Sequence, residues 1–497
     1  MTDSRTFDTL LLVRIAPEVA TKARRTRRRF QRRLADNLRD ALSAAGIACR
    51  VEDRWSRILV HADRPSAVDH AAGVFGVASV SAVEATVPAD LGEIVRMGES
   101  LFADRVRGRT FGVRARRVGN TAFSTHDIAV HLGAALNQYA RVHLDDPDVT
   151  VYVEVMDREA YLFTGRVPGQ GGLPIGVEGK AVSLLSGGFD SPVAAWLMLK
   201  RGVSLDYVFC NLGGDAYERS VLAVAKILVD RWSFGDRPAI HVVDFGPVID
   251  ELKRAAEPRY WQVVLKRLMY RAAERIAADV GGAAIVTGES VGQVSSQTLA
   301  NLAAIDEVAA LPVLRPLVGL DKNEIIARAE RIGTAVLSSQ VREYCAIAPG
   351  KPVTHARPEA ARREEAKLDL GVLDAAVAGR RVLDLRALAP VDLVRPYLFA
   401  TEIPEGAVVL DCREPHLYRE WHYSGAARWD PSDLAARFRE LDKSATYVLY
   451  CSFGIQSAYV AEEMQRAGYE AYSFKGGVPE LRRYVDVRGP AAVVTGS

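Results

Sequence analysis

Cysteine is scarce in this chain: five residues in 497, at positions 49, 210, 345, 412 and 451, with no Cys-x-x-Cys pair. Thiols so few and so scattered exclude a disulfide scaffold and a zinc knuckle, and leave reactivity as the way a cysteine would matter. Long apolar runs are also lacking. Nothing approaches the ~18–20 residues of a membrane span. The apolar stretch Leu10–Ile15 is too short for a signal peptide, and its arginines follow rather than precede it. Asp3, Asp8 and Glu18 argue against a mitochondrial transit peptide. There is no internal repeat, no low-complexity tract and no overall excess of one charge, the formal net charge being +2. These absences favour a cytoplasmic protein with no membrane partner.

What is present is ordinary globular material, 49% hydrophobic and 25% charged, long enough for roughly three or four domains. The neutral balance hides a basic run, Lys22 to Arg33, without one acid. The expected organisation is α/β and multidomain. A small ferredoxin-like α+β domain spans 1–60 and a second α+β domain 61–166. A glycine-rich joint then leads to strands alternating with helices over 177–345, which implies a doubly wound parallel sheet with its ligand at the strands' carboxyl ends. A polar, proline-punctuated linker is expected over 346–402, and a last α/β domain over 403–484.

Ser186-Gly187-Gly188-Phe189-Asp190-Ser191 is the most informative stretch. It follows the apolar run Ala181–Leu185 and leads into Pro192-Val193-Ala194, which reads as strand, glycine loop, helix. Adjacent glycines turn tightly, Pro192 suits the first helical position, and loop N–H groups at a helix N-terminus form an anion seat. No Gly-Lys-Ser/Thr follows, which excludes a Walker loop. The stretch resembles the pyrophosphate loop of the PP-loop ATP-pyrophosphatases, which adenylate a carbonyl oxygen so that a nucleophile can replace it. By the strand-end rule Gly288-Glu289-Ser290-Val291-Gly292-Gln293-Val294-Ser295-Ser296-Gln297-Thr298 faces the same cleft. Lys322 stands at a helix start, where a cation opposes the helix dipole and wants a reason such as a phosphoryl anion.

Two further stretches carry resemblances. Arg107-Gly108-Arg109-Thr110-Phe111-Gly112-Val113-Arg114-Ala115-Arg116-Arg117, with Asp148–Val155 downstream, resembles a THUMP domain, an RNA-binding module of tRNA-modifying enzymes. Cys451 ends the apolar run Tyr447–Tyr450 before a helix, where backbone N–H groups suit a reactive sulfur. With Asp411-Cys412-Arg413-Glu414-Pro415 and Lys475-Gly476-Gly477, it resembles the active-site loop of a rhodanese domain. Cys49, Cys210 and Cys412 read as structural.

Taken together, these four modules in this order resemble the bacterial tRNA 4-thiouridine synthetases. The resemblance implies ATP against Leu184, Leu185, Phe209, Cys210, Lys266, Gly288 and Gln297, with its phosphates on Ser186, Gly187, Gly188, Phe189 and Ser191. It implies Asp190 orienting the loop or helping to hold Mg2+, and Lys322 stabilising charge at the α-phosphate. Arg24, Arg25, Arg28, Arg109, Arg114, Arg116 and Arg117 would meet tRNA. A cysteine desulfurase would load Cys451 as a persulfide, and Cys345 would pair with Cys451 in a transient disulfide. Cys451 must therefore be reachable, and the last domain must swing on its linker. A thiamine sulfur carrier protein is an implied second acceptor, and a sulfur relay to such a carrier is the alternative reading. Oligomeric state stays open, a homodimer included.

Overall fold

The computed structural model of the chain describes residues 7–54, 57–119, 121–212, 214–339, 351–389, 398–488, residue 393 and residues 493–494. Two compact units make it up, Met1–Pro174 and Ile175–Ser497.

In the first unit, strand Thr9–Ile15 lies between Arg57–Ala62 and Val77–Val83, antiparallel to both, with Cys49–Arg54 and Val167–Pro168 at the edges. The ferredoxin-like domain thus continues to Val83, not 60, and takes in helix Ala67–Ala72, because a sheet face needs both helices to cover it. The long helix Arg24–Ala44 buries Phe30, Leu34, Leu38 and Leu42 at helical spacing. Its Arg24, Arg25 and Arg28 stand exposed.

The THUMP domain follows, with strand order Ala85–Pro88, Glu159–Phe163, Val149–Met156, Thr110–Val118, Arg141–Val142. Helices Leu91–Val106 and Thr125–Leu136 cover it through Ile94, Phe102, Ile128 and Leu132. Within this unit the two domains share an apolar seam of Leu12, Leu59, Met156, Tyr161 and Phe163. Beside it Glu154 accepts from Arg14 Nε at 2.7 Å and Arg57 Nε at 2.9 Å, all three side chains being buried. Burial alone would raise the Glu154 carboxyl, but the two guanidiniums outweigh it and hold it below its ordinary value.

The second unit opens on the sheet that positions the main site. Val313–Leu314, Ile285–Val286, Lys180–Leu184, Ser204–Asn211 and Ala239–Asp244 run parallel in that order. A sixth strand, Arg381–Asp384, joins antiparallel to Ala239–Asp244. The expected linker is therefore largely part of this domain. Buried Glu365, on helix Pro358–Glu365, accepts from Arg267 at 2.7 Å and Arg271 at 2.7 Å, pinning the segment to helix Trp261–Val280. Two paired arginines and an edge strand hold what composition alone presents as polar connector. The rhodanese-like sheet then runs Phe399–Ala400, Glu470–Phe474, Thr446–Tyr450, Val408–Asp411, Ala427–Arg428, parallel throughout, and so begins before the expected residue 403.

Glu154→Ala strands two buried guanidiniums and is expected to cost the first unit about 3–5 kcal/mol, read as a lower urea midpoint of its unfolding transition. Because the folded carboxyl sits below its ordinary value, its contribution is complete above the unfolded pKa of about 4.3. It is lost as pH falls through the lowered folded value, and a pH series of midpoints tests this.

Candidate active site

The turn after Lys180–Leu184 is built by its own side chains. Ser191 Oγ accepts from the Ser186 N–H at 3.0 Å, and the Tyr217 hydroxyl donates to the Ser186 carbonyl at 2.9 Å. Helix Asp190–Lys200 starts here. Asp190 is held from two sides: Lys322 Nζ donates to Oδ1 and Gln293 Nε2 to Oδ2, each at 2.8 Å. Lys322 also lies 5.5 Å from the Phe189 ring centroid. A capping box of Asp321 and Glu324 starts its helix, so Lys322 projects from a fixed point. This ion pair supplies the reason its position wanted. Gly288 closes the cleft floor: a Cβ there would lie 2.7 Å from the Ser191 nitrogen, so only glycine lets the two backbones meet.

Behind the loop lies a charge network that sequence reasoning did not single out. Glu289 is buried and accepts from Thr287 Oγ1 at 3.1 Å, Arg315 Nε at 3.0 Å and the Tyr270 hydroxyl. Lys266 Nζ stands 3.5 Å from its other oxygen, so Lys266 belongs to the cleft side and not to open surface. Burial works to raise the Glu289 carboxyl, and Lys266, Tyr270 and Arg315 together bring it below its ordinary value. Gln297 is buried and accepts from the Ser290 N–H at 3.3 Å, shaping the loop. Leu185 is buried and Leu184 half-buried. Phe209 and Cys210 are core residues, Phe209 meeting Tyr217 edge-on at 5.1 Å. Glu289 carries no periodicity or motif of its own, and nothing in the sequence marks it apart.

Cys451 follows the strand Thr446–Tyr450, where Ser457 Oγ donates to its sulfur at 3.4 Å. Ser473 Oγ, 2.8 Å from Ser457 Oγ, in turn donates to the Gly454 carbonyl. Gly477 lets the loop turn: a Cβ there would lie 2.5 Å from the Cys451 carbonyl oxygen, and its φ is +64°. Contrary to the accessible sulfur the sequence implies, Cys451 is only 3% exposed. It packs in one apolar cluster with Cys412, Leu449, Val460 and Val336. Burial pushes the Cys412 thiol well above its ordinary value, which fits a structural role.

Val336, a member of this cluster, comes from the other domain of the unit. Its short helix Ala335–Ser338 packs on helices Pro431–Arg437 and Ile455–Arg466 of the rhodanese-like domain. On its far side Ser338 Oγ donates to the Gly188 carbonyl at 3.3 Å. One turn of helix thus touches both the glycine loop and the cysteine's cluster. Around it Gln456 Nε2 donates to the Gly333 carbonyl at 2.9 Å and Arg231 pairs with Glu414 at 2.9 Å. Tyr459 meets Ser220, and burial pushes its phenol up to about 12. Cys345, with Glu343, Tyr344 and Gly213, lies outside the described residues.

In the first unit the expected RNA arginines divide. Arg109, Arg114 and Arg116 are exposed, although Arg114 donates to the Leu144 carbonyl. Arg117 is half-buried and donates to Thr121 Oγ1 at 3.1 Å and the Phe123 carbonyl at 2.9 Å. It tethers a loop, having the opposite strand parity to Arg114 and Arg116.

Family comparisons match residues 176–370 to the thiamine biosynthesis protein (ThiI) family, 10–81 to the ThiI ferredoxin-like domain, 88–164 to the THUMP domain and 397–483 to the rhodanese-like domain. The tRNA sulfurtransferase of Pyrobaculum aerophilum is 37% identical over 94% of this chain and 96% of its own. That of Saccharophagus degradans is 36% identical over 92% and 98%. A crystal structure of a 4-thiouridine synthetase–RNA complex with bound ATP superposes with a TM-score of 0.67 at 32% identity, covering 76% of this chain and 99% of that one.

Removing two of the interdomain ties, in a Gln456→Ala/Arg231→Ala variant, is expected to speed maleimide labelling of Cys451 by about 5–30-fold, the range set by roughly 1–2 kcal/mol. Peptide mass spectrometry of the labelled chain reads the rate. A rate equal to wild type would show that docking is not what covers the sulfur.

Proposed function

The chain belongs to the thiamine biosynthesis protein (ThiI) family: it is a tRNA sulfurtransferase, and we propose that it uses ATP to activate uridine 8 of tRNA at O4 and supplies sulfur from Cys451 to give 4-thiouridine. The observation that supports this most strongly is the turn of helix at 335–338, which touches the glycine loop through Ser338 and the Cys451 cluster through Val336. Nucleotide chemistry and sulfur chemistry are thereby next to each other in one unit.

ATP would lie against Leu184, Leu185, Phe209, Cys210, Lys266, Gly288 and Gln297, with its phosphates on the N–H groups of the loop Ser186–Ser191. Among the described residues no three His, Cys, Asp or Glu side chains cluster as a metal site. Asp190 offers one carboxylate beside the loop, and that suits Mg2+, which is held by one or two carboxylates together with substrate phosphates. When bound, the ion would offset phosphate charge. Lys322, now paired with Asp190, is placed to stabilise charge developing at the α-phosphate.

Uridine O4 attacks the α-phosphorus and pyrophosphate leaves. The terminal sulfur of a Cys451 persulfide, loaded by a cysteine desulfurase, attacks C4, and AMP departs with the O4 oxygen. Cys345 thiolate then attacks the Cys451 sulfur, which breaks the bond to the transferred sulfur and releases 4-thiouridine. The resulting Cys345–Cys451 disulfide needs a dithiol reductant to reopen it. In this reading the rhodanese-like domain leaves helix 335–338 when Cys451 is loaded. The same persulfide would serve a thiamine sulfur carrier protein.

The test is incubation with ATP, Mg2+, a desulfurase, cysteine and unmodified tRNA, followed by near-ultraviolet absorbance of 4-thiouridine. Wild type is expected to produce the chromophore. Asp190→Ala and Cys451→Ser are each expected to lower the rate by at least about 10²-fold. Thiolation that persists in Cys451→Ser rules out the persulfide route. Absence of thiolation in wild type, with carrier sulfuration intact in Asp190→Ala, favours the relay.

A further inference from the structure

We propose that the nucleotide domain carries its own groove for the tRNA phosphate backbone, formed by Lys200, Arg201, Arg328 and Arg331. The four cations line one cavity of about 560 Å³, and its described lining residues include no carboxylate. Trp196 and Met198 form part of its apolar floor, and Lys200 Nζ lies 5.3 Å from the Trp196 ring centroid. Arg201 and Arg331 are exposed, while Lys200 and Arg328 are half-buried at the rim. Arg328 pairs loosely with Glu324 at 3.8 Å, and that acid stands outside the cavity lining.

The groove's position gives it a partner. Helices Asp190–Lys200 and Lys322–Ile332, each of eleven residues, pack together and are joined at their starts by the Asp190–Lys322 ion pair. At 1.5 Å per residue their far ends lie about 15 Å from that pair. A cation in a last turn offsets the helix dipole, which accounts for Lys200 and Arg331 singly. It does not account for four cations converging on one cavity whose described lining holds no acid. A strand whose reacting base sits near Lys322 brings its flanking phosphates within reach of this groove, where they would displace counterions. The basic rim fits such a backbone. This inference rests on tRNA being the substrate.

The test compares full-length wild type with Lys200→Gln/Arg201→Gln/Arg328→Gln/Arg331→Gln, measuring tRNA affinity against salt, ATP affinity and thiolation. The variant is expected to bind tRNA roughly tenfold or more weakly. The magnitude of its log K against log salt slope should fall by about 0.7–0.9 for each phosphate that the variant leaves unneutralised. ATP affinity should hold, which reports an intact cleft. Arg201→Lys/Arg328→Lys/Arg331→Lys should keep most of the affinity, and Arg201→Gln/Arg331→Gln, confined to the exposed pair, covers any folding failure of the quadruple variant. Unchanged affinity and slope overturn the groove, as does equal weakening in the lysine variant. Displacement of poly-glutamate from the groove, with tRNA binding unchanged, would assign it to an acidic protein instead. A wild type that makes no 4-thiouridine defeats the proposed function; a thiolating wild type with an unaltered variant defeats only the groove.

Discussion

The second unit is organised around one carboxylate. Asp190 begins a helix, terminates the glycine loop and is clamped by donors from two other elements, Lys322 and Gln293. Through it three strand-end segments that are far apart in sequence share one point. The close approach of Gly288 to Ser191 fixes the same junction from below. The loop's groups are thus already oriented, and a ligand bound there would leave little ordering to oppose it. The Asp190–Lys322 pair is partly exposed and of modest energetic worth. Its importance lies in geometry.

A second layer of charge stands behind the first. Glu289 gathers Tyr270, Thr287, Arg315 and Lys266, and Arg315 reaches on to Asp306. Buried carboxylates with this many donors resist protonation and resist movement. Glu365 with Arg267 and Arg271 repeats the device one helix away, and Glu154 with Arg14 and Arg57 repeats it in the first unit. In each, an acid joins a domain's sheet or helix to a segment from elsewhere in the chain. The pattern ties modules together with register that apolar contact alone does not specify.

Much of this is legible in the sequence because it is local. Strand, glycine loop and helix at 181–200 announce themselves by order, and the THUMP and cysteine loops by their motifs. The doubly wound alternation places the ends of three strands on one side. What stays hidden is what depends on distant residues meeting. Gln293 is legible as a hydrogen-bonding side chain in the cleft loop, but its pairing with Asp190 is not. Glu289 reads as one more member of the cleft-facing loop until its burial is known. The 358–384 segment, rich in Arg, Glu and Asp, has the composition of a connector because its charges are neutralised by partners roughly a hundred residues away. The ferredoxin-like domain ends later than its local pattern suggests for a related reason: Val77–Val83 belongs with Thr9–Ile15 only through pairing across about seventy positions. The meeting of the Cys451 cluster with Val336, more than a hundred residues before it, is likewise invisible locally.

The hydrogen bond from Ser338 to the Gly188 carbonyl makes the two ends of the unit thermodynamically reciprocal. A bond of this kind is worth about 0.5–1.5 kcal/mol. Whatever draws the Gly188 carbonyl away weakens the seat on which the sulfur-bearing module rests, and departure of that module loosens the loop by the same factor. A ligand that displaced this carbonyl would thus act on the docked module through one bond, and the module on that ligand to the same extent.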